Sequence, residues 1–243
     1  LRLKKFSKNT KENQNYCIET ENIFFDYSRN IIDEKSVENL LKLAYLIDIK
    51  KNYKKLISGH ISNKSENRKV LHSAMRSTSS LLDKNITKDI RRHKEILKKI
   101  SQDIISGKKK SFSNKKYTDI VSVGTGGSFF GIKAAYEALK NYSSKNIKLH
   151  FISNLDFTEN KDLLNSLDPN KTLFIIVSKS FKTIETLENI KKIKFWLKKY
   201  SKNYNVMNNF LAVTENESEA KKLGINQRNI IKIWEWLGGR YSI

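Results

Sequence analysis

The chain has a single cysteine, Cys17, among 243 residues. No internal disulfide can form, which excludes a small scaffold held together by disulfides. Its four histidines, His60, His72, His93 and His150, fall at no spacing that would gather ligands around a structural zinc ion. No run of 18 or more apolar residues occurs, so no membrane-spanning helix can be read from it. The opening stretch LRLKKFSKNT lacks both the apolar centre and the cleavage-site chemistry of a secretory signal. These absences point to a soluble, cytoplasmic protein with no metal and no membrane. Internal repeats are missing too, as is low complexity beyond a bias toward lysine.

Positive charge is abundant. Lys and Arg total 47 against 25 Asp and Glu, a formal charge of +22. A clustered excess of this kind would suggest nucleic acid, because cations that replace phosphate counterions drive such binding. Here the excess is mostly lysine, scattered along the chain beside many Asn and Ile, as an AT-biased coding sequence would produce. Recognition of phosphates and base edges leans on arginine forks. A nucleic-acid partner is therefore not expected despite the basic charge.

A chain of this length can bury a sizeable core, and its texture changes partway along. Residues 35–57 place Val37, Leu40, Leu41, Ala44, Ile47 and Leu56 at spacings of three and four, which predicts a packed surface helix. Further helical patterns cover 66–82 and 88–106, and Gly107 closes the second. The lysines at 108–110 read as a solvated linker. This divides the chain into a helical amino-terminal region, 1–107, and an α/β domain, 108–243. From residue 119 the short runs DIVSVG, KLHFISN, TLFIIVSKS and NFLAVTE alternate with helical patterns at 130–143, 158–167, 182–200 and 215–223. The run NIIKI at 229–233 offers a fifth strand. The unbroken apolarity of LFIIV calls for burial on both faces, so the expected fold is a doubly wound parallel sheet of five strands flanked by helices.

In such sheets ligands bind beyond the carboxyl ends of the strands. Two of the loops there are unusual. VGTGGSFFG carries Gly124, Gly126, Gly127 and Gly131 with Ser128 near a helix start, a setting in which backbone amides and the helix dipole face an anion. It approximates a dinucleotide fingerprint, but the acidic residue about 20 positions on is replaced by Asn154, with Asp156 two residues later. It also lacks the G-K-[ST] ending of a nucleotide triphosphatase loop. The second loop, VSKSFKT, has Ser178, Ser180 and Thr183 with Lys179 and Lys182, more hydroxyls than one helix cap uses. Glycine amides and hydroxyls at adjacent strand ends suit a phosphate monoester better than a pyrophosphate, which needs a longer glycine-lined track. Near the end, EWLGGRYS sets Arg240 after two glycines, able to project a guanidinium toward charge developing on a reacting oxygen.

Taken in order, these segments resemble the amino-terminal half of the glucose-6-phosphate isomerase family. The likeness runs through FFDYSRNIIDEKSVENLLKLA at 24–44, NRKVLHSAMRS at 67–77, VGTGGSFFG at 123–131, FISNLDFT at 151–158, SKSFKTIET at 178–186 and EWLGGRYS at 235–242. The resemblance implies aldose–ketose isomerisation of glucose 6-phosphate and fructose 6-phosphate without a cofactor, by a homodimer when complete. It assigns the substrate phosphate and its flanking groups to Gly127, Ser128 and the segment Ser178, Lys179, Ser180 and Thr183, and the stabilisation of an enediolate-like intermediate to Arg240. The chain departs from the family pattern at Phe129, Ile132, Ser180 and Lys182; Ser180 keeps a hydroxyl where threonine is frequent. The family's glutamate base, ring-opening histidine and carboxy-terminal lysine find no counterpart in these 243 residues. The chain alone is accordingly expected to bind without catalysing; the alternative reading is a stand-alone sugar-phosphate-binding domain that senses its ligand without chemistry.

Overall fold

The computed structural model describes residues 14–77, 82–201 and 204–238. Contacts group the chain into two units, Leu1–Lys54 and Lys55–Ile243, and each is described by itself.

In the first unit, strand β1 (Cys17–Glu19) pairs antiparallel with β2 (Phe24–Asp26). Helix α1 (Glu34–Leu46) starts at Asp33, whose carboxylate accepts from the Ser36 N–H. The helix expected across 35–57 is interrupted at Asp48, which takes a φ of 48° and accepts from the Lys51 N–H at 3.2 Å. A second helix, α2 (Ile49–Ile57), starts there. No residue of α1 is buried, and of the stripe expected to pack, Leu40, Leu41 and Ile47 are exposed while Val37, Ala44 and Leu56 are half-buried.

In the second unit, residues 78–81 of the helix expected at 66–82 lie outside the described residues, and the part before them belongs to a hairpin of β3 (Ile61–Asn63) and β4 (Arg68–Lys69) followed by one 3-10 turn at His72–Met75. Asn67, at φ 51°, turns the chain where a helix would have continued. Leu71 and Ala74 do share a face, but they bury it against Leu82, Ile90 and Trp236. Helix α3 (Lys84–Ile105) is capped by Asp83 and stops at Gly107, whose φ is 77°. The lysine run beyond it is solvated at Lys108 and Lys110 but not at Lys109. Lys109 is half-buried, its backbone N–H donates to the Asp103 carbonyl at 2.8 Å, and its ammonium donates to Asn229 Oδ1 at 2.6 Å. Burial lowers the Lys109 pKa, against the pull of Asp103.

The remaining elements follow the expected alternation: β5 (Asp119–Val123), α4 (Gly127–Leu139), β6 (Lys148–Ile152), α5 (Phe157–Asn165), β7 (Thr172–Val177), α6 (Ile184–Lys198), β8 (Phe210–Thr214), α7 (Glu217–Lys222) and β9 (Ile230–Lys232). All five strands are parallel, in the order β6-β5-β7-β8-β9. Successive side chains of a strand point to opposite faces, so the central strand feeds two cores. Phe174 and Ile176 of β7 meet Leu164 of α5 and Ile190, Ile193 and Leu197 of α6 on one face. Leu173 and Ile175 meet Ile100 and Ile104 of α3 on the other. This two-sided burial is the reason LFIIV reads as unbroken apolarity.

One polar side chain ties the amino ends of these strands together. Asn209 is fully buried. Its Oδ1 accepts from the Phe112 N–H at 2.8 Å, and its Nδ2 donates to the carbonyls of Pro169 at 3.1 Å and Thr172 at 2.9 Å. The opposite, carboxyl ends are left for ligands.

Candidate functional site

From β5 the chain crosses to β6 on one side, and then returns to place β7 on the other side of β5. The crevice between the loops that leave β5 and β7 is the switch point of the sheet, where crossovers diverge and no helix covers the strand ends. A cleft of about 710 Å³ opens there. Gly127, Ser128, Ser178, Lys179, Ser180 and Thr183 all line it. The two loops singled out from the sequence are thus brought together; Arg240 lies outside the described residues.

Gly124 and Gly126 shape the first loop. A Cβ on Gly124 would come within 2.9 Å of the Val177 carbonyl oxygen and 3.0 Å of Ser128, so its absence lets the start of α4 press against the end of β7. Gly126, at φ 55° and ψ −124°, is the N-cap of α4, a conformation that side chains other than glycine rarely adopt. Gly127 and Ser128 then present the first turn of α4 to the cleft. Among the described residues the Ser128 hydroxyl makes no hydrogen bond.

The second loop is held by its neighbours. The Ser178 N–H donates to the Val213 carbonyl at 3.1 Å, and the Lys179 carbonyl accepts from Thr214 Oγ1 and the Glu215 N–H, each at 3.0 Å. Asn216 donates through Nδ2 to the Ser180 carbonyl at 3.3 Å. Phe181 fixes the loop from beneath: its ring is buried in the main core while its backbone sits at φ 54°. A bulky residue in that conformation stores roughly 1–3 kcal/mol of strain, which persists only where the surroundings determine it.

The hydroxyls of this loop are not consumed by the fold. Ser178 is 3% exposed, and its Oγ has no hydrogen-bond partner. Thr183 is the N-cap of α6 but makes no capping hydrogen bond through its side chain. Ser180 Oγ accepts from the Lys182 N–H at 3.3 Å, which leaves its proton available. Capping therefore does not account for these hydroxyls. Together with the first amides of α6 and the dipole of α4, whose Ser128, Phe129 and Phe130 N–H groups already donate to the Thr125 and Gly126 carbonyls, they form a concave setting in which an anion is favoured.

Lys179 is placed less simply. Its ammonium donates to the Glu235 carbonyl and lies 3.7 Å from Glu215 Oε2. Glu215, Asn216, Thr125, Glu66 and Arg68 also line the cleft, and the sequence reading passed over all five. Glu215 and Asn216 directly follow β8, so the rule that ligands sit beyond strand ends would have found them. Arg68 comes from the distant hairpin, and its spacing gives no signal. The dinucleotide alternative loses its acidic candidate, because the Asp156 carboxylate accepts from the Thr158 N–H at 2.9 Å and caps α5. Among the described residues no group of three or more His, Cys, Asp or Glu could hold a metal ion. No described helix is long and apolar enough to cross a membrane.

Fold and site together define a doubly wound α/β domain whose switch point carries an anion-receptive cleft of hydroxyls, amides and cations. Residues 26–243 match the family model described as Phosphoglucose isomerase, and the chain belongs to that family. It is 37% identical over 243 residues to a glucose-6-phosphate isomerase of Francisella tularensis subsp. tularensis (strain WY96-3418), a match that covers 98% of this chain and 45% of that protein. A glucose-6-phosphate isomerase of Coxiella burnetii (strain Dugway 5J108-111) is 38% identical over 242 residues, covering 98% of this chain and 44% of its own length. The chain thus spans a little under half the length of these relatives. Among solved structures, a glucose-6-phosphate isomerase from Chlamydia trachomatis D/UW-3/Cx superposes with a TM-score of 0.74 at 24% identity, over 96% of this chain and 45% of that one. At that identity the likeness is one of fold.

Proposed function

We propose that this chain supplies the phosphate-holding part of a glucose-6-phosphate isomerase, and that a hexose 6-phosphate binds in the cleft between the β5 and β7 loops. The observation that carries the reading is the buried, unpartnered Ser178 hydroxyl beside the uncapped Thr183, at a site where two helix amino ends converge. A phosphate dianion offers three terminal oxygens, enough to accept from the hydroxyls of Ser128, Ser178, Ser180 and Thr183 and from the first backbone amides of α6. Lys179 adds a cation at the rim. Gripped by its phosphate, the sugar is oriented for the proton transfer between C2 and C1 that links aldose and ketose. Arg240 is proposed to stabilise the intermediate's oxygen.

The 243-residue chain itself is proposed to bind without turnover. Proton transfer needs a carboxylate free to act as base. The carboxylates lining the cleft are Glu66, which accepts from Asn63 Nδ2 at 2.8 Å, and Glu215, placed between Arg68 and Lys179. Neither is free. The test is a thermal melt and calorimetric titration with glucose 6-phosphate and with glucose, beside a coupled isomerase assay. A melting temperature that rises with the phosphate ester and not with glucose is expected, with turnover no higher than a buffer control. Equal responses to the two sugars would overturn the phosphate reading, and steady turnover would overturn the claim of inactivity.

A further inference from the structure

Glu215 is a carboxylate in a cleft otherwise built for anions, and it is shared. Its Oε2 lies 3.9 Å from Arg68 Nη1 and 3.7 Å from Lys179 Nζ. Charge-assisted hydrogen bonds are about 2.7–2.9 Å long, so Glu215 attracts both cations by charge alone; Lys179 is anchored besides by its hydrogen bond to the Glu235 carbonyl. Side-chain exposures of 35% for Arg68 and 31% for Glu215 leave water to screen the pair. The Arg68 side chain makes no hydrogen bond among the described residues, so its five N–H donors lack acceptors on the wall of the cleft. A guanidinium matches two phosphate oxygens at once, which a carboxylate at 3.9 Å does not exploit. The other acid at the rim, Glu66, is engaged with Asn63 inside the hairpin turn and does not compete for Arg68.

We propose that Arg68 is a further anion ligand of this cleft, and that Glu215 holds Arg68 and Lys179 in a loose charge pair that the incoming phosphate displaces. Glu215 is then a positioning residue that sets affinity: it keeps the two cations at the rim and lowers the charge an anion meets. The inference rests on the hexose-phosphate reading above and extends the site from the sheet to the β3–β4 hairpin.

The test is calorimetric titration of the 243-residue chain and its Arg68→Ala, Arg68→Lys, Glu215→Gln and Ser178→Ala variants with inorganic phosphate and glucose 6-phosphate, each at low and high salt. Arg68→Ala is expected to weaken both ligands about ten-fold, the loss typical of a hydrogen bond to a charged group. Arg68→Lys should recover part of it, because charge returns without the fork. Glu215→Gln is expected to tighten both about three-fold at low salt, with the gain fading as salt screens the cleft. A merely structural ion pair would shift the melting temperature and leave affinity and its salt dependence unchanged. If Arg68→Ala and Glu215→Gln bind as the parent does while Ser178→Ala weakens, this inference is overturned and the phosphate reading stands. If Glu215→Gln weakens binding, the displacement is overturned. If the parent chain binds neither ligand, both readings fall.

Discussion

Replacing Ser178 by alanine should move stability and affinity in opposite directions, which few substitutions at a structural residue do. The hydroxyl is 3% exposed and unpartnered, and an orphaned buried polar group costs about 1–3 kcal/mol. Removing it should therefore stabilise the ligand-free chain by about 1 kcal/mol, at the low end because the lost oxygen leaves a small void. For a unit of this size that raises the melting temperature by roughly 2–4 °C. In the proposed complex the same hydroxyl would donate to a phosphate oxygen, a contact worth about 1.5–3 kcal/mol, so the affinity for glucose 6-phosphate should fall about ten-fold or more. Scanning fluorimetry of parent and variant across a ligand series measures both effects together. The ligand-free variant should melt higher and gain less from each ligand concentration. A lower melting temperature with unchanged affinity would refute the reasoning, since Ser178 would then be satisfied within the fold and idle toward ligand.

Three further outcomes follow from the geometry. Gly124→Ala puts a methyl 2.9 Å from the Val177 carbonyl oxygen; parting the two loops should cost about 1–3 kcal/mol by denaturant titration and weaken phosphate binding. Asn209→Ala strands the Phe112 N–H and two carbonyls in the interior, for an expected loss of roughly 3–5 kcal/mol. Asn209→Asp keeps the acceptor but sets oxygen against those carbonyls, so its loss should be comparable. At Asp168, burial raises the pKa, but the Asn170 backbone and side-chain donors with the charges of Lys171 and Lys115 outweigh it, so the value is lowered from 3.8. A lowered folded-state pKa gives stability that is present above the unfolded value and lost as the pH falls through the folded one. The melting temperatures of the parent and Asp168→Asn should thus differ most near neutrality and converge in acid below that value.

The α/β alternation was legible because each strand is an apolar run and each helix a repeat of three and four, and both patterns follow from local geometry alone. The loops of the cleft were legible for a related reason, since glycines and hydroxyls in excess of turn and cap chemistry stand out without knowledge of their neighbours. The misreadings arose where local pattern and tertiary partner disagree. Val70, Leu71, Ala74 and Met75 have helical spacing, yet Asn67 turns the chain, and Leu71 is buried against a tryptophan far along the sequence. The stripe across 35–57 is continuous in hydropathy and broken at a single backbone angle, that of Asp48. Lys109 reads as one more charge in a basic run, until Asn229 is found beside it. Arg68 and Glu215 meet only through the fold, so neither has a sequence signal that names the other.

Phe181 divides the labour of its loop. The ring, sunk in the core beneath the β7 strand end, sets the path of the backbone from inside the protein, while the donors lie on the opposite, outer side. Donor chemistry and loop course are therefore separately adjustable. Serine for threonine at position 180 exchanges one donor for another on a fixed mounting, whereas any change at position 181 would swing every donor at once. A surface of donors mounted on such a peg can be retuned one side chain at a time, and the anchor that makes this possible stays inside the core.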